Sequence, residues 1–125
     1  LVEAAEFSNY CDQGVLISES NKRSINCVHL PIVDLGIPKN DTLDRLNNLR
    51  PRLYEAIKSG GSIAIHCMGG LGRSGTVAAI ILRDLGNPAQ SAIDIVRQSR
   101  PGAIETKEQE LFVSSVASNH LNYSE

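Results

Sequence analysis

The sequence has no tryptophan, a single methionine and few aromatic residues, 4% of 125. So small an aromatic complement offers no row of rings on which single-stranded nucleic acid could stack. An excess of one charge is also lacking: 12 Lys+Arg stand against 14 Asp+Glu, a net charge of −2. There is no basic face and no run of like charges, so nucleic acid is not an expected partner. Long apolar runs are missing too. The longest, Val77 to Leu82, has six residues, against the roughly 18 needed to cross a membrane. The opening LVEAAEFSNY carries two acidic residues and no apolar stretch, so neither a membrane association nor a secretory signal is expected. Three cysteines, an odd number, do not make a disulfide framework and fit a reducing, cytoplasmic setting. These exclusions leave one globular domain, 1–125, acting as a monomer; a core of this size needs roughly 100–150 residues. The first residue is Leu1 rather than Met, which leaves open a start further upstream.

Punctuation by Gly and Pro divides the chain into alternating elements. Val15–Ser18 and Cys27–Leu30 are short β-prone runs, and Ile32–Pro38 reads as a loop. From Thr42 to Lys58 the spacing of Leu43, Leu46, Leu53 and Ile57 predicts a helix. Pro51 lies inside it and should kink or divide it. Ser62–His66 reads as a buried strand, and Thr76–Leu85 as a helix apolar nearly all round, closed by Gly86. A further helix starts at Asn87-Pro88, and Arg100-Pro101-Gly102 forms a turn. Thr106 and Gln109 have capping-box spacing ahead of a last helix. Strands alternating with helices predict an α/β fold with a central, largely parallel sheet flanked by helices, and a ligand site at the carboxyl ends of the strands.

The chemistry concentrates between the predicted strand and the apolar helix. There His66-Cys67 is followed by Met68, Gly69, Gly70, Leu71 and Gly72, and then by Arg73, Ser74 and Gly75. Glycines let successive backbone N–H groups converge on an anion, and the helix start adds unpaired donors and a positive dipole end. Arg73 contributes a planar fork that matches two phosphoryl oxygens. Such surroundings favour a thiolate, whose pKa typically falls to about 3.5–7.5 beside cations and helix starts. Cys67 therefore reads as a nucleophile at the mouth of an oxyanion cradle. The alternatives fit less well. A Walker loop needs a Lys before its Ser/Thr, and this loop has none. A dinucleotide loop would have to accommodate Arg73 where the cofactor needs room. A zinc site would need a second Cys at ligand spacing. For Cys11 and Cys27 the expected role is that of a buried thiol.

The Cys-x5-Arg pattern of Cys67 and Arg73, with glycines at 70, 72 and 75, resembles the signature of the protein tyrosine phosphatases. The similarity is greatest to the small atypical dual-specificity members, and it runs from about Val15 to Val113. Two further segments share it: Leu-Pro-x-x-Asp-x-Gly-x-Pro at 30–38 and Arg-Pro-Gly-Ala-Ile-Glu-Thr at 100–106. The resemblance implies the three-layer fold of that family and hydrolysis of phosphomonoesters through a phosphocysteine, with no metal or organic cofactor. It implies that Cys67 is the nucleophile, and that residues 68–72 with Arg73 hold the phosphoryl group. Asp34, 33 residues before Cys67, would be the general acid, although a turn Asp can equally bond its own backbone. Ser74 would bond the sulfur and ease its departure, or would simply cap the helix. Glu105 and Gln109 occupy positions where the family often has two water-positioning glutamines. Here the first is Glu, which could act as a base, while Gln109 has a competing role in the capping box. His66 would be a buried strand residue that orients the loop, and Glu19 would either approach Arg73 or be an exposed loop Glu.

The signature loop adds no charge beyond Arg73, which points to a phosphorylated protein or peptide carrying phosphotyrosine, with phosphoserine and phosphothreonine as further substrates. Non-protein substrates, a phosphoinositide or an RNA 5′-phosphate, form an alternative, since Lys22, Arg23 or Lys39 could line the cleft. A catalytically weak phosphate-binding module is another. Low-molecular-weight phosphatases place the signature near the N-terminus, ahead of the acid, which is the reverse order. Rhodanese-like sulfurtransferases need neither Asp34 nor a hydroxyl at 74.

Overall fold

The computed structural model describes residues 1–3, 6, 13–69 and 71–117. Among them are five helices: α1 (Gln13–Lys22), α2 (Asn40–Lys58), α3 (Gly72–Asp84), α4 (Ala89–Ser99) and α5 (Lys107–Ser115). The hub is α3, whose residues Gly72 to Val77 and Ala79 to Ile81 are all buried. Its Ala79 and Ile80 join Ala92, Ile93 and Val96 of α4 and Phe112 and Val113 of α5 in one apolar cluster. Its Val77 and Ile81 face the other way, into a cluster with Leu30, Ile32 and Leu46. A helix gripped from both sides has no polar face to offer, which is why its sequence is apolar nearly all round.

The helix boundaries follow local chemistry. After α3, Gly86 takes a φ of 107°, and Gly86 and Asn87 donate back to Arg83 and Leu82, closing a Schellman motif. Gly60, at φ 90°, and Gly61 end α2 in the same way through Ile57 and Ala56. The capping box at Thr106 and Gln109 forms as the sequence predicts. Arg100 to Ala103 is a turn closed by Ala103 N–H to the Arg100 carbonyl, with Pro101 second and Gly102 third at φ 87°.

The predicted central sheet is not found: among the described residues there is no strand. Val15–Ser18 instead lies within α1. Cys27–Leu30 and Ser62–His66 carry no ladder to each other. Residues of both segments line a cavity of about 250 Å³, and residues 1 and 2 link the two regions. The Leu1 amino group donates to the His66 carbonyl at 2.9 Å. The Leu1 carbonyl accepts from Ile32 N–H at 3.1 Å, and the His29 ring meets the Val2 carbonyl. Isolated bonds of this kind fix neighbours without making a ladder, and β-propensity is expressed only where a ladder forms.

Pro51 does not divide α2, which runs unbroken for 19 residues. Leu46, Arg50 and Tyr54, on either side of the proline, are all buried, so both halves are held against the core. Arg50 forms a bidentate pair with Asp84 of α3, at 2.7 and 2.6 Å. It also donates to Asn47 Oδ1 and to the Ala117 carbonyl. Removing one partner of a buried pair leaves an uncompensated charge, which typically costs about 3–5 kcal/mol. Arg50→Ala should therefore lower unfolding stability in urea by that order. Arg50→Met combined with Asp84→Leu should recover most of the loss, and equal losses in both variants would contradict the assignment.

Candidate active site

The site is built at the start of α3. Leu71 stands at the N-cap position and no side-chain hydrogen bond caps this end, while Gly72, Arg73 and Ser74 of the first turn are all buried; an uncapped helix start leaves its first N–H groups without an intrahelical partner. Cys67, partly buried and not in a disulfide, leads into Met68 and Gly69, both exposed. Gly70, expected to bind phosphate, and Cys11 lie outside the described residues. The Leu71 carbonyl accepts from Gly75 N–H within α3 and from Ile104 N–H at 3.0 Å. A Cβ on Gly75 would come within 3.1 Å of Ala103 Cβ and Ile104 N. The glycine at 75 is thus needed for close approach of helix and loop.

Arg73 is almost fully buried, at 2% exposure, and its guanidinium is shared among three groups. Nη1 and Nη2 donate to the two carboxylate oxygens of Glu6 at 2.8 and 2.9 Å. Nη1 also donates to the Ile32 carbonyl at 2.9 Å. Asp34 Oδ1 lies 3.5 Å from Nη2. The hydrogen bonds from Arg73 hold the Glu6 carboxyl down at about 2, against an opposing effect of burial. The same pair raises the Arg73 pKa, and the Cys67 charge acts in that direction as well. Glu6 is a residue that sequence reasoning misses. It lies 67 positions from Arg73, in an opening segment with no motif of its own, and only the fold brings it to the site. Of the two readings of Glu19, near Arg73 or exposed, the exposed one holds: it lies on α1 and pairs with Lys22 at 3.1 Å.

Asp34 sits on a turn in which Gly36 N–H donates to the Val33 carbonyl at 2.8 Å. Leu35, third in the turn, has a φ of 63°, a conformation a non-glycine residue holds only when its surroundings enforce it. The enforcing contacts come from the 105–109 segment. Thr106 Oγ1 donates to the Leu35 carbonyl at 3.3 Å, and Gln109 Nε2 donates to the Gly36 carbonyl at 3.0 Å. Asp34 has a largely exposed side chain, and Oδ1 also accepts from Leu35 N–H at 3.0 Å. Its self-bonding turn role and its approach to Arg73 are therefore both realised.

Gln109 is fully buried, and its Oε1 accepts from the N–H groups of Glu105 and Thr106. With Nε2 on Gly36, both ends of the amide are committed to backbone. Glu105 is exposed, and its carboxylate lies against the start of α3, 2.6 Å from where a Cβ on Gly72 would stand. Ser74 is the third residue of α3, so it does not cap the helix. Its Oγ is buried with no hydrogen-bond partner among the described residues. The expectation that His66 is a buried strand residue is also corrected: it is exposed and outside any strand, and its carbonyl is held by the Leu1 amino group. Arg100, read from the sequence only as part of a turn, donates from Nη2 to the Gly69 carbonyl at 3.3 Å. Among the described residues no group of three or more His, Cys, Asp and Glu side chains could hold a metal ion.

Cys67, the start of α3, the buried Arg73 and the exposed Asp34 on its braced turn are thus gathered in one part of the fold. Residues 11–113 match the DSP-PTPase phosphatase domain of the Swiss Army Knife type (PTP-SAK). The chain belongs to that family. It is 31% identical over 99 residues to protein tyrosine phosphatase type IVA 2 of Mus musculus, covering 78% of this chain and 58% of the relative. It is 41% identical over 88 residues to protein tyrosine phosphatase type IVA 3 of Bos taurus, covering 70% and 50%. The chain thus spans between half and three-fifths of the length of these relatives. Among solved structures it is similar to Tk-PTP in the active form, with a TM-score of 0.66 and 39% identity over 78% of this chain and 64% of that one.

The Glu6–Arg73 pair gives a signed pH dependence. Because the Glu6 pKa falls from 4.5 to about 2 on folding, its stabilising contribution is complete above the unfolded value and disappears as pH falls through the folded one. The stability difference between wild type and Glu6→Gln, measured by urea unfolding, should therefore be largest near neutrality and shrink between pH 4.5 and 2. A difference that stays constant over that interval would contradict the pair.

Proposed function

We propose that this domain hydrolyses phosphotyrosine, and to a lesser extent phosphoserine and phosphothreonine, in phosphorylated proteins or peptides through a phosphocysteine. The observation that carries this reading is the placement of Arg73 with its guanidinium within reach of Asp34 at 3.5 Å, beside the open helix start that follows Cys67. In the first step the Cys67 sulfur attacks phosphorus and the bond to the leaving oxygen breaks. Asp34 gives that oxygen its proton. The developing charge on the equatorial oxygens is met by the N–H groups of the loop, residues 68–72, and of the helix start, and by Arg73. In the second step water attacks phosphorus, its proton passes to a carboxylate, and the S–P bond breaks to return the thiolate and free phosphate. The unbonded Oγ of Ser74 is available to donate to the departing sulfur.

Of the two candidates for placing that water, Glu105 is the better supported. Gln109 has its amide committed at both ends, and its role is that of a brace. The mechanism needs no metal and no organic cofactor. A nucleophilic thiolate works only while reduced, which favours a cytoplasmic setting. No helix among the described residues is long and apolar enough to cross a membrane, and nothing in the mechanism requires a second copy of the chain.

Cys67→Ser should abolish release of phosphate from an aryl phosphate. Asp34→Ala should lower turnover of a poor leaving group by about 10²–10⁴, with a much smaller loss for an activated nitrophenyl ester. Undiminished turnover of the poor leaving group would move the acid elsewhere. Glu105→Ala should slow the second step, so that rapid quench shows a larger burst of phosphocysteine; an unchanged burst would remove Glu105 from the reaction.

A further inference from the structure

The turn that carries Asp34 has little packing of its own to hold it. Val33 and Leu35 are 63% and 51% exposed, and the Asp34 side chain is largely exposed as well. Leu35 takes a φ of 63°, which a leucine leaves unless something holds it there. The flanks of the loop are fixed independently: Thr42 Oγ1 donates to the Pro31 carbonyl at 3.1 Å, and Pro38 is fully buried. At the tip, the carbonyls of Leu35 and Gly36 are both held by the start of α5. The two donors differ in kind. Gln109 is fully buried and closes the capping box from within, so any change there disturbs α5 as well. Thr106 uses one hydroxyl twice: its oxygen accepts from Gln109 N–H at 3.1 Å, and its hydrogen goes to the Leu35 carbonyl at 3.3 Å. Capping needs only an oxygen at that position, whereas the bond to Leu35 needs the hydroxyl hydrogen. Chemistry can therefore separate the two roles.

We propose that Thr106 is a positioning residue for the first step of the reaction: through the Leu35 carbonyl it sets where Asp34 stands relative to the leaving oxygen. The proposal rests on the phosphatase reading above and assigns that site a further residue. A general acid works only within hydrogen-bond reach of the oxygen it protonates, and small misplacements of a reacting group are costly. Asp34 Oδ1 accepts from Leu35 N–H, and the Leu35 carbonyl is the atom that Thr106 holds. A turn released at Leu35 therefore carries the carboxyl with it. The effect belongs to the delivery of a proton. It should appear with esters whose leaving oxygen needs that proton, and vanish with esters whose leaving group departs without one.

The test compares kcat/KM for phenyl phosphate, a poor leaving group, with that for nitrophenyl phosphate, an activated one, using Cys67→Ser as the blank. Thr106→Asp keeps an N-cap acceptor but has no hydrogen to give Leu35, and Thr106→Ser keeps both functions. Both variants should unfold in urea near the wild-type midpoint. Thr106→Asp should lower the ratio of phenyl to nitrophenyl kcat/KM by about three- to tenfold, the loss of one hydrogen bond expressed as a rate, while Thr106→Ser keeps the wild-type ratio. In an Asp34→Ala background, Thr106→Asp should lower the ratio no further, because the group it positions is gone. Exchange of the Gly36 amide hydrogen, followed by NMR, reads the turn without catalysis; it should quicken in Thr106→Asp and stay unchanged in Thr106→Ser. An unchanged ratio in Thr106→Asp overturns the proposal while leaving the phosphatase reading intact, as does an equal loss with both esters or a further loss in the Asp34→Ala background. Wild-type chain that releases no phosphate above the blank refutes the phosphatase reading and, with it, the assigned step, and Gly36 exchange then separately decides whether Thr106 holds the turn.

Discussion

The guanidinium of Arg73 is the point on which the site depends. Burying a cation is costly unless its donors are satisfied, and here Glu6 on one segment and the Ile32 carbonyl and Asp34 on another do so from distant parts of the chain. Three consequences follow together. The opening segment is tied to the start of α3, the loop carrying Asp34 is drawn to the same place, and the fork is fixed in direction before any phosphate arrives. Glu6 holds the end of the fork firmly through two short bonds, whereas Asp34 meets it at 3.5 Å from an exposed position. The firm partner orients the cation; the loose one, in the mechanism proposed above, exchanges with an incoming anion and then serves at the leaving oxygen.

The second organising group is the buried amide of Gln109. It closes the capping box of α5, holds Glu105 and Thr106 by their N–H groups, and reaches across to Gly36. Together with the Thr106 bond to Leu35, it braces a turn whose Leu35 conformation is unfavourable by itself. The 105–109 segment therefore acts on the acid loop as well as on the helix start. The positive φ values of Leu35 and Ile104, 63° and 59°, lie where these segments meet the site.

How much of this was legible in the sequence depends on the range over which each signal acts. Helix spacing, the Gly86 terminator and the Thr106–Gln109 box are local, and they are realised. Cys67, Arg73 and Ser74 are contiguous enough to be read as a loop with a chemistry. The sheet was not legible in the same way, because β-prone composition shows that a run can be extended but not that a partner strand will lie beside it. Ser62–His66 and Cys27–Leu30 are instead linked through residues 1 and 2. Glu6 and Arg100 were invisible for a related reason: each is an ordinary exposed-type residue in sequence, and their nearness to the signature loop is created only by the tertiary path. Gln109 was legible as a capping residue, but burial and the Gly36 bond decided how it should be read.

The close contact of Gly75 with Ala103 and Ile104 has an evolutionary consequence. With a Cβ at 75 meeting side chain and backbone at 3.1 Å, neither side of that contact can enlarge unless the other retreats. The start of α3 and the loop that carries Arg100 and Glu105 must therefore vary as a pair. Changes in selectivity within descendants of this chain should accumulate at the outward-facing positions of the loop, with the helix facing it kept unaltered.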